Sequence, residues 1–126
     1  MQLGRDALLN ATVLPYEAVD IPELGGTVIV QGMTAGQRDS FESSLFKGRG
    51  RKRDVNMQDM RARLLVHCLV DVPGGSLLFT QADVPQLTKM RVDVVQRLFN
   101  VAQKLCGLSD EDVDELGKGS ETEAIH

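Results

Sequence analysis

Few side chains in this 126-residue chain are of a type and spacing to do chemistry. Asp110, Asp112 and Asp114 occupy positions one, three and five of an EF-hand loop, with Glu121 at position twelve. That loop needs glycine at position six for its sharp turn, and the residue there is Glu115. An acidic first turn of a helix explains the same residues, because carboxylates favour the positive end of the helix dipole. His67 beside Cys68 suggests an imidazole-activated thiol, but neighbours on a helix point about 100° apart and do not face each other. The two histidines and two cysteines match no zinc spacing. Nucleophile-elbow, Walker and dinucleotide fingerprints are missing from the sequence. These residues predict no active site, no metal and no cofactor.

What remains is charge. Lys47 to Arg53 carries five positive charges and no negative one, whereas Ser109 to His126 carries seven acids against Lys118. The basic run reads as a solvated loop, a dock for an acidic surface or a contact for nucleic-acid phosphates. Net charge −4 and the lack of aromatics around the run argue against nucleic acid. A small nucleic-acid-binding regulator that uses residues 47–53 is the alternative reading. Cys68 and Cys106 fall at apolar positions of predicted helices and read as reduced thiols packed as small hydrophobes. The N-terminus lacks the pattern of a secretory signal, and the most apolar run, Leu64 to Val70, is too short to span a bilayer. A cytosolic protein is expected, with no membrane contact.

The elements that position these residues follow from periodicity. Residues 1–14 leave a short helix and a loose arm equally open. Two β-rich runs around Leu24-Gly25-Gly26 predict a hairpin over about 15–32. Thr34 with Gln37 is a capping box that opens a helix to about residue 46, burying Phe41 and Leu45. Asn56 would cap a second helix over about 56–70, in which Met57, Met60, Leu64, Leu65, Cys68 and Leu69 recur at helical spacing. Pro73-Gly74-Gly75 breaks it, and Leu77-Leu78-Phe79 reads as extended. Thr80 with Asp83 starts a helix over about 81–88. The clearest helix spans about 91–106, with Val94, Val95, Leu98, Phe99, Ala102, Leu105 and Cys106 on one face and Gly107 as its stop. Ser109 caps a last helix over about 109–117, and 118–126 is expected to fray. The fold class is therefore α+β, mainly α: an N-terminal β-hairpin and a small bundle of about four to five helices in one domain.

Several segments, in this order, resemble the tail assembly chaperones of long-tailed, siphovirus-type bacteriophages and prophages. They are Ile21-Pro22-Glu23-Leu24-Gly25-Gly26 with Val28 and Val30, then Thr34-Ala35-Gly36-Gln37-Arg38-Asp39 with Phe41-Glu42. Arg61-Ala62-Arg63-Leu64-Leu65, Leu78-Phe79-Thr80 with Asp83-Val84, and Phe99 to Leu108 follow. The resemblance implies a non-enzymatic protein of the host bacterial cytoplasm that coats the tape measure protein, keeps its apolar stripes soluble and is absent from the mature virion. It also implies that a longer frameshifted product recruits the tail tube protein. Coating a long partner takes many copies, and head-to-tail contacts propagate. Two surfaces are expected to serve this role. Arg49, Arg51, Lys52 and Arg53 would meet Asp110, Asp112, Asp114 and Glu115 of a neighbour in weak self-association, while Met57 and Met60 would form an adaptable lip for an apolar helix.

Overall fold

Alternation of side chains along Tyr16–Ile21 (β1) sends Val19 and Ile21 inward and leaves Tyr16, Ala18 and Asp20 exposed. In the computed structural model, which describes residues 1–47, 54–55, 59–109 and 111–112, β1 pairs antiparallel with Gly26–Gln31 (β2). Val19 stands opposite Val28, and Ile21 opposite Gly26. The connection is a single 3-10 turn, Pro22–Leu24, closed by Gly25 at φ 74°, a left-handed conformation in which glycine carries no Cβ penalty. The fold is α+β and mainly α, with this hairpin near its N-terminus. Before the hairpin, Arg5–Leu9 (α1) forms one short helix that buries no residue.

Ala35–Ser44 (α2) begins at a complete capping box. The Gln37 amide donates to Thr34 Oγ1 at 3.1 Å, and the Thr34 amide donates to Gln37 Oε1 at 2.9 Å. Its inner face delivers Phe41, with Leu45 just past its end, both fully buried. The predicted helix to residue 46 stops earlier, because Phe46–Lys47 (β3) pairs with Asp54–Val55 (β4) in a small ribbon.

The predicted helix over 56–70 is corrected more substantially. Its described part is Met60–Leu65 (α3), and the chain then tightens through short-range bonds from the His67 amide to the Leu64 carbonyl and from the Cys68 amide to the Leu65 carbonyl. Leu69–Val70 (β5) continues as a strand on the free edge of β2, opposite Val30 and Ile29. An open β2 edge leaves backbone donors and acceptors unpaired, and supplying them outweighs one more helical turn. Val70 bridges in turn to Leu77, so the extended piece expected over 77–79 is a single bridge followed by a bend at Leu78. Asn56, the expected cap, lies outside the described residues; the residue before α3 is Asp59, at φ 60°.

The predicted helix over 81–88 resolves into a 3-10 turn, Gln81–Asp83, and Val84–Leu87 (α4). Asp83 holds its start by accepting from the Thr80 amide at 2.8 Å. Val92–Leu105 (α5) buries Val94, Val95, Leu98, Phe99 and Ala102 as the periodicity predicts, while Leu105 and Cys106 are half-buried. It ends in a full Schellman motif: the Gly107 amide bonds the Lys104 carbonyl at 3.2 Å, the Leu108 amide bonds the Gln103 carbonyl at 2.9 Å, and Gly107 sits at φ 70°. Leu108 is buried beneath that turn. Of the helix predicted over 109–117, residues 111 and 112 are described and helical. α5 lies against α3 on one side and across β1 and β2 on the other, so one cluster of buried side chains unites the hairpin and helices.

Candidate partner-binding groove

α3, α4 and α5 do not close completely on one another. Between them runs an open groove of about 450 Å³, with Met60 and Ala62 from α3, Leu87 and Met90 from α4 and its exit, and Val92, Val95 and Phe99 from α5. Asp59, Arg61, Thr88 and Gln96 edge it. An apolar floor with a polar rim is the common architecture of a ligand or partner-helix site.

Local sequence explains each wall. Pro85 stands in the first turn of α4, where its missing N–H costs nothing, and the helix ends within a turn, at the Thr88 amide bond to the Val84 carbonyl. That brief helix leaves Met90 half-buried beside the start of α5. Asp93 fixes that start: its carboxylate accepts from the Val94 amide at 2.9 Å and pairs with Arg91 at 2.7 Å. Val92, the first residue of α5, consequently points away from the core and is 71% exposed at the groove mouth. Across the rim, Arg61 donates to Gln96 Oε1 at 2.6 Å, and Gln96 donates to Asn100 Oδ1 at 2.7 Å. The first of these bonds ties α3 to α5 above an apolar floor that stays open, and the second holds Gln96 within α5.

Of the expected site residues, Met60 is in the groove wall, 8% exposed. Met57 lies outside the described residues, as do Arg49, Arg51, Lys52, Arg53, Asp110, Asp114 and Glu115. Asp112 is exposed and engaged locally, accepting from the Ser109 amide at 2.9 Å while its own amide donates to Ser109 Oγ. Donation from the Ser109 amide, then from its hydroxyl, holds the Asp112 carboxyl below the ordinary range. Leu87, Met90, Val92, Val95 and Phe99 were not assigned to a site by sequence reasoning. Val92 alone carried a signal, as an apolar residue outside the inner face of its helix.

A second apolar surface lies at the other end of the chain, where Leu3, Leu8, Leu9 and Val13 are each more than half exposed. Among the described residues, no group of three His, Cys, Asp or Glu side chains is placed to hold a metal, and no helix is long and apolar enough to cross a membrane. His67 is nearly buried, its Nε2 accepts from Gln81 Nε2 at 3.0 Å, and burial lowers its pKa. No family model, curated protein or solved structure matches this chain.

Proposed function

We propose that this protein is a tail assembly chaperone of a siphovirus-type phage or prophage, and that the groove between α3, α4 and α5 receives apolar stripes of the tape measure protein. The observation that carries the reading is the groove itself: two methionines, Met60 and Met90, beside Leu87, Val92, Val95 and Phe99 in an opening edged by polar groups. Methionine is unbranched and polarizable, so a Met-bearing surface adapts to successive, non-identical stripes along a long helical partner. Modest affinity per copy suits a coat that must be stripped when the tail tube closes around the tape measure. The ordered resemblance of the hairpin, α2, α3 and α5 segments to such chaperones supports the same role. Cytoplasmic action in the host, absence from the finished virion and recruitment of tube protein by a longer product belong to this proposal.

Co-expression with the tape measure protein encoded beside this gene tests it. Tape measure that becomes soluble only with this chain, and co-purifies with several copies of it, is the expected result. Tape measure that stays insoluble and unbound overturns the reading and moves the basic run 47–53, as a nucleic-acid contact, to first place.

A further inference from the structure

Cys68 and Cys106 belong to segments 38 residues apart, yet their sulfurs lie 3.7 Å from each other. Three chain reversals meet at this corner. Cys68 ends the tightened turn between α3 and β5, and its carbonyl accepts from the Gln31 amide of β2 at 2.8 Å. Cys106 is the C-cap of α5. The exit of β2 runs beside the end of α5, where Gly32 comes so close that a Cβ there would meet the Leu105 carbonyl at 3.1 Å and the Pro15 ring at 3.3 Å. Backbone on all three sides is hydrogen-bonded, so the thiols are held in mutual contact by structure that does not depend on them.

The two thiols are unequal. Cys68 is fully buried, whereas Cys106 is partly open to solvent. Contact with Cys68, the Met33 backbone amide and the charge of Arg38 draw the Cys106 thiol below its ordinary pKa. The same contact, together with burial, pushes Cys68 far up. One thiol thus belongs to a partly exposed residue and is drawn toward ionisation, and the other is buried, held toward its protonated form and in contact with it. An attacking thiol backed by a resolving thiol is the arrangement thiol–disulfide exchange requires.

We propose that Cys68 and Cys106 form a modification site that takes a low-molecular-weight disulfide such as glutathione disulfide and converts it into an internal cross-link. The Cys106 thiolate attacks one glutathione sulfur, the glutathione S–S bond breaks, and one glutathione leaves as its thiolate and takes up the proton Cys106 lost. Cys68 gives up its proton and attacks the Cys106 sulfur, the mixed disulfide breaks, and the second glutathione leaves as thiol. Two protein thiols are oxidised and one glutathione disulfide is reduced to two thiols. Closing the sulfurs from 3.7 Å to a bond of about 2.05 Å is a side-chain movement within a corner whose backbone is already set. The cross-link would pin the end of α5 to the β2–β5 edge, leaving the groove at the opposite end of α5 open. The inference holds whatever partner that groove takes.

The test incubates the reduced full chain with glutathione redox mixtures, then counts free thiols and measures intact mass and melting temperature. The expected result is joint loss of both thiols in a monomer that carries no glutathione, with Tm raised by on the order of 10 °C because the closed loop restricts the unfolded chain. C68A should stop at a glutathione adduct on Cys106, and C106A should leave Cys68 unmodified while folded. Two thiols still free in the most oxidising mixture, a glutathione adduct on the wild type that never resolves, or disulfide-linked dimers would each overturn the proposal.

Discussion

Arg97 on α5 clasps Glu23 in the hairpin turn with both arms of its guanidinium, Nη1 to Oε1 at 2.9 Å and Nη2 to Oε2 at 2.7 Å. Nη1 also reaches the Asp20 carbonyl at 3.4 Å, and about two helical turns further on Lys104 meets Glu17 of β1 at 3.1 Å. Two clamps thus fasten the outer side of the hairpin along α5. The planar fork of arginine matches a carboxylate, and a lysine in its place would offer a single point charge. Bonds from Arg97, aided by the residue's own backbone amide, hold the Glu23 carboxyl at about 2, well below its ordinary 4.5.

The sign of the resulting pH dependence follows from proton linkage. A carboxyl whose pKa is depressed on folding contributes stability that is fully present above its unfolded value and is lost as pH falls through its folded value. Glu23→Gln should therefore lower stability relative to the wild type above pH 4.5, and the gap should close as pH falls toward 2. Denaturant melts of both proteins across that range measure it. A gap independent of pH would mean that the clamp acts by packing alone.

His67 works in the opposite part of the scale. Burial lowers its pKa below the ordinary 6.5, so the folded protein resists protonation that the unfolded chain accepts. Stability should then decline as pH drops below 6.5, where the unfolded state binds more protons. Melting temperatures at about pH 7.5 and about pH 5.5 should show the decline in the wild type and a flatter response in His67→Gln. An equal slope in the variant would assign the acid sensitivity to other groups.

Much of this fold was legible because its signals are local. The Thr34–Gln37 box, the inner face of α5 and the Gly107 stop all arise within a few residues, where hydrogen-bond reach and helical spacing decide the outcome. β5 was not legible in this way. Leu69 and Val70 continue the apolar spacing of α3, and only the open edge of β2, about forty residues earlier, turns them into a strand. The groove was half legible for a similar reason. Met60 could be singled out by residue type, but Leu87, Met90 and Val92 become a surface only where three separate helices fail to close. The contact between Cys68 and Cys106 likewise depends on three chain reversals meeting, which neither helical register announces.

Thr34 offers a direct measure of one local signal. Its hydroxyl supplies an acceptor that the Gln37 amide would otherwise lack, and Phe41, fully buried one turn later, depends on the register that this start sets. Thr34→Ala should cost about 1 kcal/mol, a fall of roughly 5 °C in Tm, and Thr34→Gly only a few tenths of that energy. Thermal melts of the two variants check the order. A Thr34→Ala variant that melts like the wild type would show that the cap oxygen is not what holds α2.

Val92 separates the groove's binding role from its part in stability. Its side chain is mostly exposed, and its neighbour Asp93, not Val92, fixes the start of α5. Val92→Asp should therefore leave stability within about 0.5 kcal/mol of the wild type, as substitutions away from packed features do, and an added acid in the first turn is favourable to the helix dipole. At the groove mouth, the same carboxylate would have to be desolvated beneath any apolar stripe that docks there. Binding of the tape measure partner should fall by at least tenfold, equivalent to about 1.4 kcal/mol. Leu64→Ala is the counterpart: it removes a fully buried side chain of α3 that does not line the groove, and costs about 2–5 kcal/mol of stability. Paired pull-downs and melts read both quantities on each variant. A Val92→Asp protein that melts like the wild type and still holds the partner at full strength would place the binding surface elsewhere, with the exposed leucines of the N-terminal arm next to be tested.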